Sequence, residues 1–267
     1  MASFSSTECA ATVPRISVDL PNFSALAIER LEADGCVLLG RVYDETRVAT
    51  LLDVLRAGLE NTGAGTSMRD DAVGLYAARN VLLACPAIVE LWWVAPLSEF
   101  LRHVLGNSPG LVRALYFDKP PGRTWALPWH RDVTIAVAKA LPTMGRFRMP
   151  TRKGGVHHVE APREVIERML TLRVHLDPMT RDNGSLAVIP GSHRSDEEAT
   201  GRAVSLALSE AGDVLAMRGW ILHASGRSHD RTTQHRRVLH LEFAADSEPG
   251  DGYEWDAFHP ILAQESG

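Results

Sequence analysis

In the stretch MLTLRVHLD, residues 169–177, apolar and polar side chains alternate from Leu170 onward. Leu172, Val174 and Leu176 fall on one side, and Thr171, Arg173 and His175 on the other. A period of two belongs to an extended strand, whose successive side chains point to opposite faces. The apolar face is expected to pack on another layer. The polar face is expected to line the inside of a barrel. Similar runs lie on either side: LVRALYFDK (111–119), DVTIAVA (132–138), GSLAVIPG (184–191), GDVLAMRG (212–219), WILHAS (220–225) and RRVLHLEFA (236–244). Gly, Pro, Asn and Asp punctuate them, as turns between short strands do. The expected fold is mainly β with flanking α: a double-stranded β-helix, that is, a jelly-roll or cupin-like barrel.

Ahead of these strands the texture is helical. Val48, Leu51, Leu52, Leu55 and Leu59 form a stripe at helical spacing, and Leu97, Leu101, Val104 and Leu105 form another that ends at Gly106. CVLL (36–39), between Gly35 and Gly40, reads as a short buried strand. The expected organisation is a loose Ser/Thr/Pro-rich N-terminus over 1–22 and one domain over 23–267. Within it, a helical layer covers about 23–110 and the β core about 111–245. A long insertion interrupts the core at about 140–165. It contains RFRMPTRKGGVHHVEAP, whose Arg146, Arg148, Arg152, Lys153, His157 and His158 suggest a basic loop able to close over a site.

Bulk properties exclude several classes. The 267 residues carry 23% charged and 45% hydrophobic side chains, the balance of a globular protein. A net charge of −5 gives no general attraction to nucleic acid or anionic membrane. No apolar run is long enough to span a bilayer, and residues 1–20 lack the pattern of a signal peptide. Cys9, Cys36 and Cys85 are too few and too far apart for a disulfide framework, so a cytoplasmic location is expected.

The chemistry concentrates in ALPWHRDVTIAV, residues 126–137. The triplet His130-Arg131-Asp132 also opens the catalytic loop of protein kinases. That loop needs an asparagine five residues after its aspartate, and here the position is Val137. No glycine-rich phosphate loop with its strand lysine and no DFG accompany it, so the kinase reading fails. A strand or strand end at 130–132 instead aims His130 and Asp132 at one point and turns Arg131 away. Imidazole plus carboxylate suits Fe(II), and a second histidine would complete a facial triad with open positions. His223, after a turn and a hydrophobic strand in GDVLAMRGWILHASG, is the candidate. Arg236 and Arg237 open the next strand. A guanidinium aimed into a barrel needs an anion, and the far carboxylate of 2-oxoglutarate would fit it. Strand alternation allows only one of the two arginines this role.

LYFDKPPG, PWHRD, DNGSLAVIPGSHR, GDVLAMRGWILHASG and RRVLHLEFA occur in this order. Together they make the chain resemble the phytanoyl-CoA dioxygenase family of Fe(II)/2-oxoglutarate oxygenases, from about residue 30 to about residue 245. The resemblance implies iron on His130, Asp132 and His223, and 2-oxoglutarate on Arg236 with help from Lys119 and Ser225. It implies a hydroxylase or related oxidase that consumes O2, oxidises an unactivated C–H bond of a small molecule, and releases succinate and carbon dioxide. A family variant with Gly or Ala in place of the aspartate halogenates; Asp132 points to hydroxylation. Arg173, His175, Trp129 and His158 are the candidate substrate contacts, with Arg173 suggesting an anionic substrate. The alternatives are a metal-dependent cupin-like hydrolase or isomerase without 2-oxoglutarate, and a non-catalytic ligand-binding barrel.

Overall fold

The computed structural model describes residues 10–17, 25–60, 68–69, 76–143 and 145–261. Two sheets pack face to face. The larger runs in the order Arg15–Ser17, Cys36–Gly40, Val214–Arg218, Met169–His175, Arg236–Ala244, Gly110–Lys119, Ala77–Ala78, Met68–Arg69, with His259–Pro260 also on Gly110–Lys119. The smaller runs Ala11–Thr12, Ser205–Ala207, Leu186–Val188, His223–Ser225, Leu127–His130. This is the double-stranded β-helix that the alternating runs predict. No helix among the described residues is long and apolar enough to cross a membrane.

The central strand obeys its pattern. Leu172 pairs with Leu241 and Arg173 with His240 on the neighbouring strand, so like faces like across the ladder. Leu170, Leu172, Val174, Leu239, Leu241 and Phe243 form a buried cluster with Leu51, Leu55, Leu97, Phe100 and Leu101. These last come from helices Glu45–Glu60 and Ala95–Leu105, so the helical layer covers the outer face of the large sheet. On the inner face the filling changes along the sheet. At one end Leu38, Leu215 and Met217 meet Leu186, Val188 and Ala207 of the small sheet. Beyond that apolar plug the inner face turns polar and the sheets enclose a cavity.

Two expectations need correcting. The insertion is not a loop: Arg148–Lys153 and Val156–Glu160 form a hairpin, and Thr134–Val137 extends it to a three-stranded sheet. Gly154 (φ 56°) and Gly155 (φ 84°) make the connection, with Lys153 opposite Val156. Positive φ at both central residues is the signature of a two-residue hairpin turn, and only glycine adopts it freely. Ile135, Val137 and Val159 bury one face of this sheet against Phe147, Tyr253 and Trp255. The N-terminal segment is also not wholly loose. Ala11–Thr12 and Arg15–Ser17 add parallel edge strands to the two sheets, and Arg15 pairs with Asp213 at 2.7 Å. The rest of 1–22 lies outside the described residues.

Candidate metal centre

His130 ends the edge strand Leu127–His130 of the small sheet, and His223 begins the strand beside it; the two are register partners. Asp132 follows where the strand has stopped. His130 Nε2 lies 3.6 Å from Asp132 Oδ1, and His223 Nε2 lies 3.4 Å from Asp132 Oδ2. Among the described residues this is the one group of three such side chains with ligand atoms close enough to share an ion, all within 4.8 Å of one another.

The tautomers are set by the backbone. His130 Nδ1 is 2.8 Å from the Pro128 carbonyl, and His223 Nδ1 is 3.1 Å from the Ile221 carbonyl. A carbonyl only accepts, so each Nδ1 carries a proton and Nε2 is the nitrogen each ring has left for a metal. Burial works against ionisation of Asp132. The surrounding His223, His240 and His130 side chains outweigh it, and the carboxyl stays ionised well below the usual range. Two neutral imidazoles and one carboxylate, clustered and leaving other directions open, are a donor set that fits Fe(II).

Arg131 is turned away from this point, as alternation requires. Its Nε donates to the Trp220 carbonyl (3.1 Å), and its Nη2 donates to the Ser195 and Glu197 carbonyls (both 3.0 Å). The guanidinium lies over the Trp220 ring, 5.5 Å from its centroid. Trp220 leads directly into His223, so Arg131 ties the segment carrying His130 and Asp132 to the segment carrying His223. Arg131→Met is expected to lower Fe(II) affinity by about ten- to a hundredfold, the usual cost of losing an outer-sphere support. Competition against a chromophoric chelator measures this; unchanged affinity would rule the tie out.

The large sheet supplies the facing wall. Lys119 and Arg236 are register partners, both almost wholly buried. Lys119 Nζ donates to Ser225 Oγ (2.9 Å) and to the Gly226 carbonyl (2.6 Å), while Arg236 Nη1 reaches Ser225 Oγ at 3.5 Å. Arg236 Nε has no hydrogen-bond partner among the described residues, and nor does Arg173 Nε. Burial, with help from Arg236 and Arg173, pushes Lys119 down to about 6. Burial likewise pushes Arg236 down to about 9 and Arg173 down to about 10. Buried guanidinium groups, and a lysine beside one of them, are costly unless anions meet them. Gly184 (φ 73°) closes over this corner. A side chain there would meet the Gly226 carbonyl at 2.6 Å and Lys119 Nζ at 3.1 Å.

Lys119 gives the ligand-free protein a pH dependence. Its folded value of about 6 lies below the ordinary 10.5, so the unfolded chain binds the extra proton between those limits. Stability therefore rises with pH across that window, and the penalty is complete below it. Denaturant midpoints at pH 6, 7.5 and 9 should climb, and Lys119→Met should flatten the climb.

A cavity of about 790 Å³ joins the two walls. His130, Asp132, His223, Ser225, Arg236 and Arg173 line it. Lys119 stands behind Ser225. Three expected substrate contacts are not in the lining. Trp129 precedes His130 on its strand and so takes the opposite face. His175 lies one pleat beyond Arg173, about 7 Å along the strand, where its Nδ1 meets the Ser209 hydroxyl and burial pushes it down to about 3. His158 is buried within the three-stranded sheet, its Nδ1 3.1 Å from the Val156 carbonyl. Trp255 packs in the cluster beneath that sheet and does not cover the cavity. Arg237 is turned to the other side, in a bidentate pair with Asp177 (2.6 and 2.8 Å). Sequence reasoning missed His240, Glu242 and Arg113, which line the cavity. The signal was present: His240 and Glu242 stand four and six residues after Arg236, on the same strand face.

A comparison with curated proteins found no match. Solved structures do match in fold. The α-ketoglutarate-dependent epimerase SnoN from nogalamycin biosynthesis has a TM-score of 0.64 at 16% identity, over 91% of this chain and 97% of that one. EctD from S. alaskensis, solved with 2-oxoglutarate and 5-hydroxyectoine, has a TM-score of 0.63 at 21% identity, over 87% of this chain and 82% of that one. The carbocyclase SnoK, also from nogalamycin biosynthesis, has a TM-score of 0.62 at 17% identity, over 85% and 86%. The model of the family described as "Phytanoyl-CoA dioxygenase (PhyH)" matches residues 31–238, which take in His130, Asp132, His223 and Arg236. The chain belongs to the phytanoyl-CoA dioxygenase family of Fe(II)/2-oxoglutarate oxygenases.

Proposed function

We propose that this protein hydroxylates an unactivated C–H bond of a small anionic molecule, using Fe(II), O2 and 2-oxoglutarate. The observation that carries the reading is the pairing of two walls. One offers two Nε2 lone pairs and an ionised Asp132. The other offers buried, incompletely paired guanidinium groups. A metal alone satisfies only the first wall; a metal chelated by a diacid satisfies both. With both bound, the centre supplies an oxidant for the C–H bond and yields succinate and carbon dioxide.

The chain's own residues have distinct tasks. His130, Asp132 and His223 hold the iron and, as a triad, leave positions for the co-substrate and oxygen. Arg236 takes the far carboxylate in bidentate fashion, with Ser225 beside it and Lys119 fixing Ser225. Asp132 keeps a carboxylate in the position that halogenating relatives leave without one. The cavity's charge favours an anionic substrate: seven arginine and lysine side chains line it against two carboxylates, Asp132 and Glu242. A dication and a dianion added together do not change that balance. Cys36 and Cys85 are free and buried, which fits a reducing cytoplasm.

The test is a screen of small carboxylates and other anions for substrate-stimulated succinate release with Fe(II) and 2-oxoglutarate present. Turnover that needs the metal but not 2-oxoglutarate would overturn the reading and make the protein a metal-dependent hydrolase or isomerase.

A further inference from the structure

The strand Arg236–Ala244 puts three polar side chains into the cavity: Arg236, His240 and Glu242. Arg236 belongs to the co-substrate corner. His240 and Glu242 belong to a separate chain of contacts. Arg173 Nη1 lies 3.0 Å from His240 Nδ1. A guanidinium only donates, so Nδ1 accepts and the imidazole proton is on Nε2. That Nε2 is 3.3 Å from Glu242 Oε1, within ion-pair range but off the line of a hydrogen bond. Arg113 Nη1 stands 3.4 Å from both Glu242 oxygens and donates to the Thr134 carbonyl at 3.0 Å. Each group thus sets the next: Thr134 carbonyl, Arg113, Glu242, His240, Arg173.

The chain ends on a buried cation that lines the cavity and whose Nε has no partner among the described residues. Apolar side chains of similar size would pack this wall at less cost in desolvation. Its position is also distinct. Arg236 and His240 are four residues apart, about 13 Å along the strand, so Arg173 addresses a different part of the cavity from Arg236. We propose that Arg173 is a second carboxylate-binding group in the cavity, and that His240 and Glu242 are the positioning residues that aim it. This rests on the reading above. Two ligands could supply the carboxylate: the primary substrate, or the iron-proximal end of 2-oxoglutarate.

The experiment uses the full-length Fe(II)-loaded protein without oxygen, as wild type, His240→Leu, Glu242→Leu, Glu242→Gln and Arg173→Met. One arm titrates 2-oxoglutarate and reads the visible charge-transfer band of its iron complex. The other keeps 2-oxoglutarate saturating and reads tryptophan fluorescence, since Trp125 lines the cavity. Its probes are benzoate and the neutral benzamide. The expected result is a preference for benzoate in wild type that falls about tenfold in both leucine variants and in Arg173→Met, the scale of one charge-assisted hydrogen bond. Glu242→Gln, which keeps an acceptor oxygen for His240, should restore most of it. A drop of similar size in 2-oxoglutarate affinity instead supports the same site and assigns it to the co-substrate. If folded variants change neither titration, the proposal is overturned. Should a leucine variant fail to fold, Arg173→Met still decides, because it replaces a buried cation with an apolar chain of similar length. Absence of the charge-transfer band in wild type defeats the oxygenase reading; the benzoate arm then tests Arg173 alone.

Discussion

Asp132→Ala is expected to abolish succinate release that depends on iron and 2-oxoglutarate. The carboxylate faces both Nε2 atoms, at 3.4 and 3.6 Å, and supplies the charge that holds a dication between two neutral imidazoles. Losing an outer-sphere support already costs ten- to a hundredfold in metal affinity, so losing a ligand should exceed about a hundredfold. Asp132→Ala should bind Fe(II) too weakly to survive gel filtration. Substantial turnover by this variant, or by wild type stripped with a chelator, would refute the assignment of the centre.

Arg236→Leu should separate binding from folding. Truncating one partner of a buried, hydrogen-bonded charge pair costs about 2–5 kcal/mol, which is a rise in the KM for 2-oxoglutarate of about thirtyfold to several thousandfold. Without ligand the same change should stabilise the fold, because it removes a cation that burial and Arg173 already push down to about 9. The two signs together are diagnostic. A purely structural Arg236 would lower the melting temperature and leave the KM alone. Steady-state kinetics and thermal melts of the ligand-free variant check both. Arg236→Lys should recover only part of the affinity, since an ammonium cannot make the forked contact.

How much of this was legible in the sequence follows from which forces act locally. Period-two alternation named the strands, because burial on both faces of Met169–His175 selects each residue singly. The same rule put Arg173 inside and turned Arg131 and Arg237 away. The triad was legible because His130 and Asp132 are two apart and family motifs supply His223. Depth along a strand was not legible. Alternation says which face a residue takes, but not whether that part of the face is cavity or plug, so His175 was misplaced by one pleat. The hairpin was missed because a run of Arg, Lys and His masked the glycine pair at 154–155. His240 and Glu242 share the face of Arg236, which alternation shows, but the arginines they meet stand on neighbouring strands that only the folded ladder brings alongside.

The two walls of the cavity belong to different sheets. His130, Asp132 and His223 belong to the small one and the residues that follow its edge strand, so an iron they held would sit there. The arginines rise from the large one. A diacid that chelates the metal and rests on Arg236 therefore cross-links the two halves of the barrel. Iron alone should rigidify the edge of one sheet, whereas the ternary complex should slow amide exchange in both Leu127–His130 and Arg236–Ala244. Loading the enzyme for reaction and fastening its sheets together are then one event.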